Sequence, residues 1–389
     1  MGTVSLLLAF TPGLLALVAL GWTYWLGIRA RRALLRVLIS PLEYPLCVLI
    51  PARNEAERLP ATLNALLRES SELLHVVVYD DASTDGTWQA IQTYARKDPR
   101  VVAVKGELEP QPRGFGKPAA LSGALGAAQR ADWWSPQMPV LCLDADVILR
   151  EGALGGLVRT FLESKTAALS GVPGLVTGGW VERFWVPTFV ALAARRFAPD
   201  RVHQSDDPCA FLNGQLILLR FEALQAVGGF ASVSDAVLED VALATRLKSA
   251  GCQIRLADLR ELATTRMYTS FRELADGFGK NAVPLQGGVA SVVLVAISGL
   301  IVSLAAPWSV AMSFFQESTP HRVLAALCGI GIVGLQLQLR RQMRVSPWPS
   351  LFSPLIYLGV CWVYLRAAWR VWRGASIDWR GRNYPASRK

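Results

Sequence analysis

The chain has 389 residues, 52% of them hydrophobic, and a formal net charge of +10. So high an apolar share excludes an ordinary soluble enzyme, and the basic excess clusters beside apolar runs rather than in any reader motif, so nucleic acid is not among the expected partners. The six cysteines are scattered without a close pair and the three histidines show no ligand spacing, which leaves neither a disulfide framework nor a zinc pattern.

No charged side chain occurs in residues 1–28, and Ser5 to Ile28 is long and apolar enough to span a bilayer. It lacks a basic start and a small-x-small cleavage site, while Arg29, Arg31, Arg32 and Arg36 follow it. The segment therefore reads as an anchor with a cytoplasmic C-terminal flank rather than as a cleaved signal. A mixed-charge stretch of ordinary soluble composition then runs to about residue 282.

Within that stretch, Leu46–Ile50 predicts a buried strand that ends in Pro51-Ala52-Arg53-Asn54-Glu55. A helix over 57–70 puts Leu59, Leu63, Leu66 and Leu67 on one face. His75–Tyr79 predicts the next strand, ending in Asp80-Asp81-Ala82-Ser83-Thr84-Asp85-Gly86-Thr87, with a helix over 87–97 and a third strand over 101–104. The turn Arg113-Gly114-Phe115-Gly116-Lys117-Pro118 leads into a helix over 117–130. Val140–Cys142 predicts a strand running into Leu143-Asp144-Ala145-Asp146-Val147. Further on, Asn213-Gly214-Gln215 enters a strand over 216–219, and Glu239-Asp240 opens a helix to Ala250 whose Val241, Leu243, Ala244 and Leu247 face inward. Residues 266–281 are amphipathic, with Met267, Phe271, Leu274 and Phe278 on one side, and predict an interfacial helix.

Three apolar runs close the chain, at 283–315, 323–339 and 351–365. Arg340, Arg341 and Arg344 between the last two favour the cytoplasmic side, as do Arg366, Arg370, Arg373, Arg380, Arg382, Arg388 and Lys389 in the tail. Three full crossings cannot satisfy both groups. One segment is therefore re-entrant, interfacial, or a pair of short crossings, and Pro307 is the expected break.

Strand–helix alternation predicts an α/β fold with a parallel sheet covered on both faces, and ligands in such sheets bind beyond the carboxyl ends of the strands. Polar residues collect at those ends. Asp144 and Asp146 can reach one divalent cation, and hard oxygen ligands in that number suit Mg²⁺ or Mn²⁺ shared with a diphosphate. Solvated loop carboxylates would fit the same pair. Asp80-Asp81 equally precedes a helix that Thr84 or Asp85 can cap, and Asp240 at a helix start also fits a dipole partner.

Taken in order, Pro51-Ala-Arg-Asn-Glu55, Asp80-Asp-Ala-Ser-Thr-Asp-Gly-Thr87, Asp144-Ala-Asp146 and Leu238-Glu-Asp240 resemble the successive signatures of family 2 glycosyltransferases over about 45–282. The resemblance implies an inverting enzyme with a GT-A (Rossmann-like) mostly parallel sheet between N- and C-terminal transmembrane helices. Its layout would be an anchor at 1–28, a catalytic domain at 29–262, an interfacial segment at 263–282, transmembrane or re-entrant helices at 283–371 and a basic cytoplasmic tail at 372–389. The donor would be a nucleotide-diphosphate sugar, a UDP-sugar, touching Pro51, Arg53, Glu55, Asp80, Asp81, Lys117, Asp144, Asn213, Gln215 and Arg272. Asp144 and Asp146 would hold Mg²⁺ or Mn²⁺, and Asp240, with Glu239 second, would be the general base.

The Gln-x-x-Arg-Trp of processive polysaccharide synthases is absent. In its place Arg266-Met-Tyr and Phe278-Gly-Lys-Asn281, with the terminal Trp379-Arg-Gly-Arg-Asn-Tyr384, resemble bacterial glycosyltransferases of carotenoid and hopanoid pathways. That resemblance implies transfer of one hexose to a hydroxyl of a lipid acceptor at the cell inner membrane. A polyprenyl-phosphate glycosyltransferase is the alternative enzyme. A nucleotide-sensing membrane protein is the alternative from another class, and the uncharged membrane segments count against it.

Overall fold

A computed structural model of the chain describes residues 3–106, 116–316, 318–375, 377–379 and 382–384. Arg113–Phe115 of the expected glycine turn, and Arg380, Gly381, Arg388 and Lys389 near the end, lie outside these residues. Two units emerge: a sheet unit of Ala33–Val176 and Phe197–Met267, and a helical unit of Met1–Arg32, Thr177–Arg196 and Tyr268–Lys389.

In chain order the elements are α1 (Thr3–Ala33), β1 (Leu35–Arg36), β2 (Leu46–Ala52), α2 (Leu59–Leu67), β3 (Leu74–Asp80), α3 (Thr87–Lys97), β4 (Val101–Lys105) and α4 (Gly116–Ala128). Next come β5 (Val140–Leu143), β6 (Val147–Leu149), α5 (Ala153–Ser164), β7 (Ala168–Leu175), α6 (Trp180–Phe184), α7 (Val186–Ala194) and α8 (Pro199–Val202). The remainder are β8 (Leu216–Leu219), α9 (Phe221–Ala226), α10 (Glu239–Ser249), β9 (Ile254–Thr265), α11 (Phe271–Gln286), α12 (Val289–Phe315), α13 (Thr319–Gln342), α14 (Ser353–Trp372) and the separate pair β10 (Ile377–Trp379) and β11 (Arg382–Tyr384), with short 3₁₀ turns between some of them.

The sheet runs β1-β9-β7-β8-β5-β2-β3-β4, with β6 paired to β9. Successive side chains on a strand point to opposite faces, so each strand feeds two cores. Val48, Ile50, Val76 and Val78 pack with Leu63 of α2, Ile91 of α3 and Phe161 of α5. Cys47, Leu49 and Val77 pack on the other face with Leu121 and Leu125 of α4 and Leu243 and Leu247 of α10. Val241, expected to face inward, is only half-buried.

The sheet is mostly parallel, as expected, and one antiparallel strand within it matters for the site. β5, β2, β3 and β4 run parallel to one another, but β8 runs antiparallel to both β5 and β7. An inserted antiparallel strand has its N-terminal end at the carboxyl edge of its parallel neighbours. Asn213-Gly214-Gln215 therefore meets Asp144, and Asp144 N–H donates to Gln215 O at 3.0 Å.

The segment joining β1 to β2 lies directly on α5. A Cβ added to Gly155 would collide with the carbonyl oxygens of Ser40 and Pro41, and one on Gly156 with that of Leu38. Gly155→Ala is expected to cost about 1–3 kcal/mol of stability through overpacking, read as a lowered denaturation midpoint of the detergent-solubilised protein.

The expected single domain over 29–262 is interrupted. Residues 177–196, with α6 and α7, group with the helices instead. The reason is local chemistry: Trp185 Nε1 donates to Ile356 O at 3.1 Å, and the buried Arg340 donates to the carbonyls of Arg183 and Phe184. Four helical stretches are long and apolar enough to cross a membrane: Phe10–Ala33, Val289–Phe315, Thr319–Gln342 and Trp348–Trp372. Pro307 does not break the run as expected, because α12 is continuous through it. The interruption falls earlier, at Gly287 (φ 82°) and Gly288 (φ 133°), backbone conformations that favour glycine and end α11. Met267 precedes α11, the helix found where an amphipathic one was expected, which begins at Phe271 behind a Ser270 cap that accepts the Glu273 N–H at 3.2 Å.

Candidate active site

Four strand ends supply the site. After β2, Asn54 adopts φ 55°, and after β3, Ala82 adopts φ 52°, so the two chains turn back sharply side by side. Arg53 spans them, donating to Asp81 O at 2.6 Å and Ala82 O at 3.3 Å. Asn54 Oδ1 accepts the Thr84 N–H at 2.8 Å, and the Glu55 N–H donates to Thr87 Oγ1 at 2.8 Å. Asp80 is buried and accepts the Ser83 N–H at 3.3 Å, whereas Asp81 is part-exposed. Glu55 is also buried and faces Arg58 at 3.6 Å.

The cap of α3 comes from Asp85. Its Oδ1 accepts the Thr87 N–H at 2.9 Å and the Thr87 hydroxyl at 2.5 Å, and its Oδ2 accepts the Ala56 N–H at 3.2 Å. Burial opposes its charge, but these bonds hold its carboxyl below the usual range.

Past β5, the Asp144–Asp146 turn is anchored from α2. Thr62 is fully buried and its hydroxyl donates to Ala145 O at 2.8 Å, between the two carboxylates. Lys117, at the start of α4, reaches Asp144 Oδ1 at 2.5 Å, Gly214 O at 2.9 Å and Glu239 Oε1 at 3.9 Å. Gly214 joins this group from its other side, its N–H donating to Asp240 Oδ2 at 2.8 Å. A Cβ on Gly214 would sit 3.0 Å from Asp240 Oδ2 and 3.2 Å from Lys117 Nζ, so glycine is what lets the backbone approach both. Asp240 Oδ1 also accepts the Val241 N–H at 2.8 Å, which fixes the carboxylate at the helix start.

The charges interact strongly. Burial lowers the tendency of Lys117 to be charged, yet Asp144, Glu239 and Asp240 outweigh it and hold the ammonium above the ordinary lysine range. Burial, and then the neighbouring Glu239 charge, push Asp240 up to about 6, against the pull of the Gly214 N–H and Lys117. A carboxylate poised near neutrality is matched to proton abstraction.

Asn213 lies in the same loop, donating from Nδ2 to Gly171 O at 3.0 Å and from its backbone to Ser170 Oγ at 2.9 Å. Gln215 Nε2 donates to Thr265 Oγ1 at 3.2 Å. Thus Lys117, Asp144, Asn213, Gln215, Glu239 and Asp240 come together, while Pro51, within β2, stands opposite Tyr79 of β3 beside the Arg53–Asp81 turns. Arg272 belongs to the other unit, at the start of α11. Sequence reasoning missed Thr62, Ser170 and Thr265, which hold the loops without a local signature. It also underrated Gly214, whose position between two polar residues at a strand entry was the available signal.

Comparison with known proteins supplies the context. The family model described as glycosyl transferase family 2 matches residues 47–228, and that of glycosyl transferase family group 2 matches 139–372. An N-acetylglucosaminyl-diphospho-decaprenol L-rhamnosyltransferase of Mycobacterium tuberculosis is 30% identical over 194 residues, covering 45% of this chain and 61% of the relative. A 4,4'-diaponeurosporenoate glycosyltransferase of Staphylococcus aureus is 26% identical over 261 residues, covering 65% of this chain and 64% of the relative. The chain thus spans less than two thirds of the length of either. A mannosyltransferase of Pyrobaculum calidifontis, solved with GDP-Man and Mn²⁺, shares the fold at a TM-score of 0.52 and 18% identity, covering 92% of this chain and 98% of that one.

Proposed function

Because the chain belongs to the family 2 glycosyltransferases, we propose that it moves a hexose, with inversion, from a nucleotide-diphosphate sugar to a hydroxyl of a membrane lipid such as a carotenoid or another isoprenoid. The observation that carries this reading is the convergence of Lys117, Asp144, Glu239 and Asp240 around Gly214. A base with a raised pKa there stands beside a cation suited to a diphosphate. The four long apolar helices, and two relatives named for isoprenoid substrates, support a lipid acceptor.

The chain's own groups account for the steps. Asp240 takes the proton from the acceptor hydroxyl as its oxygen bonds to the anomeric carbon, and the bond from that carbon to the diphosphate breaks. Lys117 can follow the charge that gathers on the departing diphosphate. Asp81 and the backbone of the two turns at Asn54 and Ala82 border the place for the nucleoside.

The residues also fit a divalent cation. Asp144 and Asp146 flank a carbonyl held by Thr62, and no set of three His, Cys, Asp or Glu side chains suited to a metal occurs among the described residues. Two protein carboxylates, completed by diphosphate and water, are the complement Mg²⁺ or Mn²⁺ takes in such sites. When bound, the ion would add charge neutralisation at the leaving group.

The purified full chain, given radiolabelled UDP-hexoses or GDP-hexoses with an isoprenoid alcohol in detergent, should transfer label to the organic phase. Binding of the nucleotide sugar with no label in any lipid would overturn the reading.

A further inference from the structure

We propose that α14 does not cross the membrane but re-enters it from one side, lying in the inner leaflet with its exposed apolar stripe against lipid, so that both of its ends face the side on which α13 ends. Helix registers within the helical unit carry this. Phe10 meets His321 with ring centroids 5.8 Å apart, a Cβ on Gly13 would meet Cys328 at 3.4 Å, and Gln342 Nε2 donates to Tyr24 O at 3.2 Å. Positions rise together, so α1 and α13 run parallel. α12 runs the other way: it ends at Phe315, only three residues lie before α13 begins at Thr319, and a Cβ on Gly329 would meet Val310 at 2.7 Å, so the two helices pack side by side as a hairpin. These three helices have the lengths and mutual directions of full crossings. The start of α12 and the ends of α1 and α13 then share one face.

α14 follows a different path. Ser350, four-percent exposed, donates to Gln336 O at 3.2 Å, so the chain has climbed back beside α13 by six residues, about 9 Å of helix. From there it descends. A Cβ on Gly299 would strike Tyr357, and Cys361 Sγ donates to Ala296 O at 3.1 Å, so α14 runs antiparallel to the first part of α12. Tyr364 then accepts from Gln286 Nε2 at 3.4 Å, and Arg366 pairs with Asp276 at 2.9 Å, both on α11, the segment preceding α12. A helix that starts opposite Gln336 and finishes beside α11 has gone in and come out on the same side.

Its surface agrees. Leu351, Leu355, Leu358, Trp362, Leu365, Trp369 and Trp372 are all exposed, at three- and four-residue spacing, and form one stripe. Arg366 lies over Trp362 at 5.3 Å and Arg373 over Trp369 at 4.6 Å. Aromatic rings with arginines beside them suit the headgroup level, where the cations meet lipid phosphate. Continuity with the spanning helices makes the lipid of the inner leaflet the occupant of this stripe. The arrangement also brings the arginines near 366–373 to the same face as Arg29–Arg36, as the positive-inside rule requires.

The test reads sidedness and needs no activity. Single cysteines are introduced at Thr319→Cys, the first residue of α13, and at Ala375→Cys, after α14, in a full chain whose native cysteines are replaced by Ser or Ala. An impermeant maleimide applied to intact cells, then to inverted vesicles, should label Thr319→Cys only in the first and Ala375→Cys only in the second. Labelling of both positions from the same side would mean that α14 crosses, and would overturn the proposal. Should the background chain fold poorly, reporter fusions after Lys389 in the native chain give the same answer. A C-terminal green fluorescent protein should fluoresce and an alkaline phosphatase stay inactive; the reverse pattern overturns it.

Discussion

Asp240→Asn should lower the transfer rate by about 10²–10⁴-fold, the range that a positioned general base supplies, while the donor still binds. Asp240 is held by two backbone donors, from Gly214 and Val241, so its position does not depend on substrate. Because its carboxyl is pushed up to about 6, the wild-type rate should fall with acidification below about pH 6, as the carboxylate takes up a proton and can no longer accept one. That acid limb should vanish in the variant. Glu239→Gln separates the two acids: removing the Glu239 charge relieves part of what raises Asp240, so the limb should move to lower pH with most of the rate kept. Steady-state rates across pH, with donor affinity from nucleotide titration, check both. An Asp240→Asn enzyme with near-normal turnover would shift the role of base elsewhere.

Asp144→Asn is expected to remove about 3 kcal/mol of transition-state stabilisation, a rate loss of about 10²-fold, together with the dependence on added Mn²⁺ or Mg²⁺. The same carboxylate does two things. It is the nearest partner of Lys117, at 2.5 Å, and one of the two carboxylates on the turn that Thr62 anchors. An amide in its place keeps the shape of the turn but neither neutralises the ammonium nor binds a hard cation well. Asp146→Asn should lose the metal dependence as well while leaving the Lys117 contact intact, so the difference between the two variants reports what the lysine contact contributes. Unchanged activation by Mn²⁺ in both would remove the metal from the mechanism.

Much of this was legible in the chain. Runs such as Leu46–Ile50 and His75–Tyr79 carry their own strand signal in short-range patterning, and α3 begins at Thr87 as its capping residues announce. The polar clusters at strand ends follow from the same alternation, which is why Asp80, Asp81, Asp144 and Asp146 were identifiable as site candidates. Asp85 could be read as a cap, since it lies just ahead of α3, but the choice between it and Thr84 needed the hydrogen bonds, which run from Thr87 to the Asp85 carboxylate.

Other features rest on pairings between distant segments, which local patterning does not encode. Nothing in Leu216–Leu219 says that this strand runs antiparallel between β5 and β7, yet that direction is what carries Gly214 to Lys117 and Asp240. The hydrophobic makeup of 177–196 does not reveal that Trp185 and the carbonyls beside it are claimed by α14 and Arg340. Pro307 looked like a break because proline removes a helical N–H; packed among neighbouring helices, α12 absorbs that loss and continues. The residue chemistry and the membrane-length apolar runs can be read from the chain without its fold, because they depend on composition and short periodicity. Which acid sits beside which cation, and that α14 runs antiparallel to the first part of α12, emerge from the folded chain alone, because long-range packing and hydrogen-bond partners select among arrangements that local patterning leaves equal.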